Sequence, residues 1–281
     1  MEKFRQRTLR YFFDDPEPLN DDPVSAMIWC LGIAYPHESE AASSSIQTDD
    51  KSSQPVRSHF IWPESFLDDF ESRLWMTYRT DFPLISRTEK SPPPLISRTA
   101  ADALRLAKNF ISGTGSSELV FSHSDGYNSD IGWGCMIRSA QAVLSNALLL
   151  AVLGRDWRIS SGDRRDRDII RLFADDERAP YSIHQFVRLG EMYCDKAPGE
   201  WFGPNAAARC IQRAVCEYNE RILRVYIGCD GADLYEEAFL ETSLVNGEFL
   251  PTLVLIGVRL GIENINPVYF DALEVMMVKR I

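Results

Sequence analysis

The stretch after Cys135 constrains this chain most. Apolar residues Ile137, Ala140, Leu144, Ala147, Leu148 and Ala151 recur at intervals of three and four, the period of a helix with one buried face. Gly154 closes the pattern where a helix C-terminus favours glycine. At 281 residues the chain is long enough to bury a substantial core around such a helix.

Other elements follow from the same arithmetic. Within residues 60–82, Phe66, Phe70, Leu74 and Tyr78 fall at helical spacing, which predicts a helix facing a core. Ser182 and Gln185 form a capping box, with Tyr181 and Phe186 as its staple and Ile183, Phe186, Val187 and Gly190 as a buried stripe. Pro204 occupies the favoured first helical position, ahead of Ala207, Ile211, Ala214 and Tyr218 on one face. Then the period changes to two. Leu223, Val225 and Ile227 alternate with Arg224 and Tyr226, and residues 253–257 are continuously apolar, so both segments read as strands. Asn266-Pro267 opens a last helix through Ala272 and Leu273 to Met276. Helices first and strands later predict an α+β arrangement, in a single domain over 1–281.

Composition narrows the function. Thirty Lys and Arg against 41 Asp and Glu leave a net charge of −11, which argues against a nucleic-acid backbone or an anionic membrane as the main partner. An enzyme or a protein-binding surface fits better. No apolar core follows the basic N-terminus, so no secretory leader is expected, and the apolar runs fall short of the ~18 residues of a membrane span. Six cysteines without a CxxC pair or zinc-finger spacing are expected to be reduced in the cytosol, most of them small core residues.

Three segments interrupt the pattern. Residues 37–58 are polar and almost free of large apolar side chains, too little to offset the entropy of ordering, so a disordered insertion is expected there. Pro83-Leu-Ile-Ser-Arg-Thr88 is repeated word for word as Pro94-Leu-Ile-Ser-Arg-Thr99, a local duplication that assigns 83–99 to a loop insertion. Residues 112–129, rich in Gly and Ser, make a second one.

The candidate chemistry sits in Ser129-Asp-Ile-Gly-Trp-Gly-Cys-Met-Ile-Arg138. A cysteine at a helix start faces unpaired backbone N–H groups and the positive end of the helix dipole, which favour an anion. Gly132 and Gly134 let the chain turn tightly and keep the sulfur side open, and the Cys135 N–H can help bind an oxyanion. A lone cysteine in such a place is usually a small buried residue; the glycine and tryptophan context argues for a nucleophile.

From here the sequence resembles the autophagins, the autophagy-related cysteine proteases with a papain-like fold. The resemblance rests on Asp15-Pro-Glu-Pro18, Ile28-Trp-Cys-Leu-Gly32, Leu74-Trp-Met-Thr-Tyr-Arg79, Asp130-Ile-Gly-Trp-Gly-Cys-Met-Ile-Arg138 and Leu153-Gly-Arg-Asp-Trp-Arg158. It continues through Ser182-Ile-His184, Pro198-Gly-Glu-Trp-Phe-Gly-Pro204, Arg259-Leu-Gly-Ile262 and Asn266-Pro267. It implies a nucleophile, Cys135, at the start of a helix packed on a sheet. It also implies that Tyr78 helps form the oxyanion hole and that Trp201 belongs to a loop over the substrate cleft. The implied substrate is a ubiquitin-like autophagy modifier, cleaved after its C-terminal glycine from its precursor and from its phosphatidylethanolamine conjugate. No metal or organic cofactor is implied. A cytoplasmic monomer is expected, touching membranes only through its substrate, with the nucleus and the site of autophagosome formation as further locations.

The resemblance also implies a catalytic Asp and His from an Asp-Pro-His motif beyond the Asn-Pro helix, and no Asp-Pro-His occurs in these residues. Both are absent from this chain, so the fold is expected to be C-terminally incomplete, its sheet edge exposed, and the chain inactive or nearly so. The alternative function is a truncated product that only binds the modifier. His184, placed with Arg188 and Glu191 opposite the buried stripe, is a poor substitute base beside a helix N-terminus, and His123 and His59 lie in polar segments. For the first insertion the expectation is direct: deletion of residues 38–58 should move the melting temperature by less than about 4 °C, measured by calorimetry, and limited proteolysis should nick there first.

Overall fold

The computed structural model describes residues 27–36, 62–93, 125–218, 221–228, 233–261 and 264–278. The insertion expected at 37–58 lies outside the described residues, as do 94–124 of the other two. The chain divides into two compact units, one within 1–70 together with 266–281, the other spanning 71–265.

In the first unit, β1 (Met27–Cys30) pairs antiparallel with β2 (Ile33–Pro36). Their turn residues Leu31 and Gly32 both have positive φ, 46° and 79°, the geometry of a tight hairpin. Helix α1 (Glu64–Glu71) carries Phe66 and Phe70 with ring centroids 5.7 Å apart. Its fully buried residue is polar, since Asp69 accepts a 2.7 Å hydrogen bond from the Tyr35 hydroxyl. The helix expected over residues 60–82 therefore ends at Glu71, and Leu74 and Tyr78 follow it in extended chain.

The reason lies in the second unit, where the Asn146 side chain takes both backbone groups of Leu74. It accepts from the N–H at 2.9 Å and donates to the carbonyl at 2.9 Å, so a long-range partner replaces the helical ladder there. Strand β3 (Thr80–Ser86) then pairs antiparallel with β4 (Gly126–Ser129). Residues 83–86 and 126–129, expected in loop insertions, are thus strand. Pro83 is tolerated because β3 has a partner on one side.

Helix α2 (Cys135–Leu153) is the hub of this unit. Ile137 and Leu144 are fully buried and Leu148 nearly so, packed among α3 (Asp166–Arg171), α4 (Ile183–Cys194) and α5 (Pro204–Tyr218). At 19 residues it is long and apolar enough, by length and composition, to cross a membrane. Yet it also buries Arg138, Gln141 and Ser145, and the first two are bonded to other elements, as a core helix requires. Gly154 stops it at φ 85°, ψ 165°, a region only glycine enters readily.

Helix α4 starts as expected, with the Gln185 N–H on Ser182 Oγ at 3.2 Å, but the capping box is half made. The Gln185 amide donates to the Glu177 carbonyl instead. The two strands expected near residues 223–227 and 253–257 pair directly and in parallel, β5 (Arg224–Ile227) with β8 (Thr252–Leu255). Between them run α6 (Glu236–Ser243) and the hairpin β6 (Leu244–Val245) and β7 (Glu248–Phe249). In the first unit, a 3-10 turn capped by Asn266 leads into the closing helix α7 (Phe270–Val278), close to the expected bounds.

Phe202, fully buried, fills the groove that Gly190 leaves on α4: a Cβ at 190 would stand 2.2 Å from its ring. Gly190→Ala should destabilise the protein by about 1–3 kcal/mol through overpacking. Gly203→Ala, where nothing lies within 4 Å, should stay within about 0.5 kcal/mol of the parent. Denaturant titration of both variants checks the order.

Candidate active site

Strand β4 delivers the chain into the turn that carries Cys135. The Asp130 carbonyl accepts from the N–H groups of Gly134 at 2.8 Å and Trp133 at 3.2 Å, and the Trp133 indole donates back to the Ser129 carbonyl at 2.9 Å. Gly132 takes a positive φ of 91°, which glycine adopts without strain. Gly134 is required for a different reason: a Cβ there would fall 2.5 Å from Cβ of Asp130. The turn is thus pressed against the Asp130 side chain.

Cys135 is the first residue of α2, as the sequence indicated, and is half-buried. Gly134, the N-cap, supplies no side chain to occupy the helix's free N–H groups, so they remain available to an anion. Two side chains converge on the sulfur. Trp201, in the loop between α4 and α5, donates its indole N–H to Cys135 Sγ at 2.9 Å while remaining 56% exposed. Tyr78, from the extended segment before β3, lies near enough to Cys135 to feel its charge. Its phenol is pushed well above the usual range, chiefly by burial and then by the charges of Cys135 and Asp130. At neutral pH it is therefore a protonated O–H donor.

Beneath these groups lies a ring of charges. Asp130, fully buried, accepts from the Arg79 backbone N–H through Oδ1 at 2.7 Å and from Arg138 Nε through Oδ2 at 2.7 Å. Arg138, 2% exposed, also donates to Gln141 at 2.9 Å and to Asp175 at 2.8 Å. Asp175 in turn takes a 2.9 Å bond from Arg79 Nη1. Sequence reasoning quoted Asp130 and Arg138 within a motif but gave them no part. A signal existed in a charged residue, Arg138, set within one turn of two members of an apolar stripe.

The loop bearing Trp201 is held on both flanks. Gly199, at φ 81°, approaches the Tyr127 ring so closely that a Cβ would meet it at 2.1 Å, and Phe202 is locked in the core. Glu200 closes the bend by accepting from the Ala197 N–H at 2.6 Å.

His184 is placed differently from its sequence expectation. It is buried, not on the solvent side of α4; its Nε2 lies 2.7 Å from the Pro83 carbonyl and its ring packs edge-on against Phe82. The strand β3 covers the helix face that periodicity left open. His184 is the one histidine among the described residues, since His37, His59 and His123 lie outside them. Arg158 binds the carbonyls of Arg155 and Trp157 at 3.0 and 2.9 Å, which holds the chain just past the end of α2. Among the described residues no group of three or more His, Cys, Asp or Glu is arranged to hold a metal.

The Peptidase C54 catalytic domain family matches residues 63–280. Among similar curated proteins, one named probable cysteine protease atg4 from Botryotinia fuckeliana is 41% identical over 308 residues, covering 96% of this chain and 66% of its own length. A protein of the same name from Cryphonectria parasitica is 42% identical, with 97% and 64% covered. The cysteine protease atg4 of Emericella nidulans is 41% identical, with 99% and 66% covered. The chain thus spans just under two thirds of the length of these relatives.

Because Trp201 touches the sulfur from an exposed position, Trp201→Ala should raise the rate of Cys135 alkylation by iodoacetamide at least about threefold, by uncovering the thiol. Peptide mass spectrometry reads every cysteine at once. Cys135 should also be the fastest of the six in the parent protein, and faster alkylation of Cys216 would count against the site.

Proposed function

The chain belongs to the peptidase C54 family of cysteine proteases, and from that premise we propose that it acts in autophagy on a ubiquitin-like modifier. The modifier is cleaved after its C-terminal glycine, from its precursor and from its phosphatidylethanolamine conjugate. The observation that carries this reading is the Trp201 indole bonded to the sulfur of Cys135 at a helix start, with Tyr78 beside it. The family's fold is papain-like, and the mixed helix and sheet around α2 agrees with it.

In this reading the Cys135 sulfur attacks the glycine carbonyl and forms the C–S bond of a tetrahedral adduct. The oxygen that gains the negative charge accepts from the Tyr78 O–H and the Cys135 N–H, donors that are fixed before the charge develops. Collapse breaks the C–N bond, the proton that the Cys135 thiol gave up to solvent is replaced on the leaving amine from water, and water then hydrolyses the thioester to release the modifier and restore the thiol. Tyr78 serves here because it stays protonated. Trp201 must swing off the sulfur for a peptide to enter, while Gly199 and Phe202 keep the ends of its loop in place. The protein works as a cytoplasmic monomer that meets membrane through the lipidated substrate.

A second reading is favoured by the surroundings of His184. The one described histidine is bound to Pro83 and packed on Phe82, away from a role as general acid to the leaving amine. In that reading the chain binds the modifier and leaves it intact.

A modifier fused to a C-terminal reporter separates the two. Under the protease reading the fusion is cut after glycine, and Cys135→Ala abolishes the cut because no other side chain at the site can form the thioester. Cleavage that survives Cys135→Ala sinks the assignment of the nucleophile. An intact fusion that co-elutes with the chain on gel filtration establishes the binding reading.

A further inference from the structure

The buried charges below the site do more than fill the core. Asp130 is bonded to both halves of the candidate machinery, through its main chain as well as its carboxylate. Its main chain forms the turn before Cys135, through the Gly134 and Trp133 N–H groups. Its carboxylate holds the Arg79 N–H, one residue after Tyr78, and the Arg138 guanidinium in the first turn of α2. The Asp130 N–H also reaches the Arg79 carbonyl at 3.3 Å, so both main-chain groups of Arg79, the residue after Tyr78, are held by Asp130.

The alternatives for Tyr78 are open ones. It lies beyond the end of α1, in a segment with no helical ladder, and just before an irregular step in the β3–β4 register between Thr80 and Ile85. Local structure alone leaves its hydroxyl free to drift relative to the sulfur. Asp175 completes the restraint by bridging Arg138 and the Arg79 side chain, closing a ring of alternating charges around the Tyr78–Arg79 peptide. A charged, buried carboxylate is costly to keep unless paired, and this one is paired to the two segments whose separation sets the geometry at Cys135.

We propose that Asp130 is a positioning residue for the reaction: its carboxylate, held by Arg138, fixes the Tyr78 hydroxyl against Cys135 so that it meets the oxyanion. The inference rests on the reading of Cys135 as nucleophile and Tyr78 as oxyanion donor. Asp130 touches neither the substrate nor the reacting atoms; it acts through Tyr78.

The test uses two small reagents on the protein as it stands. With p-nitrophenyl acetate, the Cys135 sulfur forms a thioester, the ester C–O bond breaks, and p-nitrophenolate leaves as an anion that needs no proton. That step passes through an oxyanion. Alkylation by iodoacetamide displaces iodide at carbon and forms none. The ratio of the burst acylation rate to the alkylation rate, each corrected with Cys135→Ala, therefore isolates the oxyanion contribution. Tyr78→Phe and Asp130→Asn should each lower this ratio by about tenfold or more. In the Tyr78→Phe background, Asp130→Asn should lower it less than about twofold further, since residues that act as a unit are non-additive. A merely structural lesion would depress both rates together.

A ratio within about twofold of the parent in Asp130→Asn, or the full loss repeated on top of Tyr78→Phe, overturns the proposal. If Asp130→Asn does not fold by circular dichroism, Asp175→Asn carries the test, with an expected drop of about threefold and an unchanged ratio overturning it. The premise fails separately: a burst that persists in Cys135→Ala removes the nucleophile, and an unaltered ratio in Tyr78→Phe removes the oxyanion donor and the role of Asp130 with it.

Discussion

A carboxylate withdrawn from water costs several kcal/mol unless charged partners and hydrogen bonds replace its hydration, and in this protein that demand falls on Asp130. With 0% of its side chain exposed, it is answered by Arg138 at 2.7 Å and by the Arg79 N–H at 2.7 Å. The demand dictates what surrounds it. Arg138 must lie in the first turn of α2, Gly134 must lack a side chain to let the turn close over the carboxylate, and the chain after α1 must run beside the turn to supply an N–H. The same three requirements put Cys135 at a helix start with Tyr78 at its side. Charge compensation and site assembly are one arrangement.

Helix α2 serves the core and the site at once. Ile137, Leu144 and Leu148 hold it among α3, α4 and α5, while Arg138 and Gln141 on the same helix are bonded to Asp130, Asp175 and the Tyr181 carbonyl. Close packing makes such a helix hard to shift, so the N–H groups at its start are held in place beside Cys135. Preorganised donors avoid reorganisation during the reaction. The loop that carries Trp201 shows the complementary design: Gly199 against Tyr127 and Phe202 in the Gly190 groove pin its ends, and the exposed indole between them rests on the Cys135 sulfur.

Much of this was legible along the chain. The stripe on α2, its stop at Gly154, the cap at Ser182, Pro204 at the head of α5 and the two strands near residues 224 and 252 are local matters, set by side-chain period, capping and backbone preference. The glycine-flanked turn before Cys135 was readable for the same reason. The family resemblance singled out Tyr78 and Trp201; the Trp201 indole is bonded to the Cys135 sulfur and Tyr78 lies nearby.

Where periodicity misled, a distant partner had won. Tyr78 sits at helical spacing from Phe66, Phe70 and Leu74, yet the Asn146 side chain, 72 residues on from Leu74, captures the Leu74 backbone and ends the helix early. His184 sits opposite the apolar stripe of α4, yet β3 covers it. Residues 83–86 read as loop by repetition and proline content, but pairing with β4 makes them strand. The sequence by itself determined the helices headed by Cys135, Ser182 and Pro204 and the tight turn before Cys135, because each is decided within a few residues. Only the tertiary structure decided that Asp130 and Arg138, both buried, close into one ring with the part-buried Asp175 and Arg79, because a charge is matched by what lies nearest in space, and the chain does not announce which distant residue that will be.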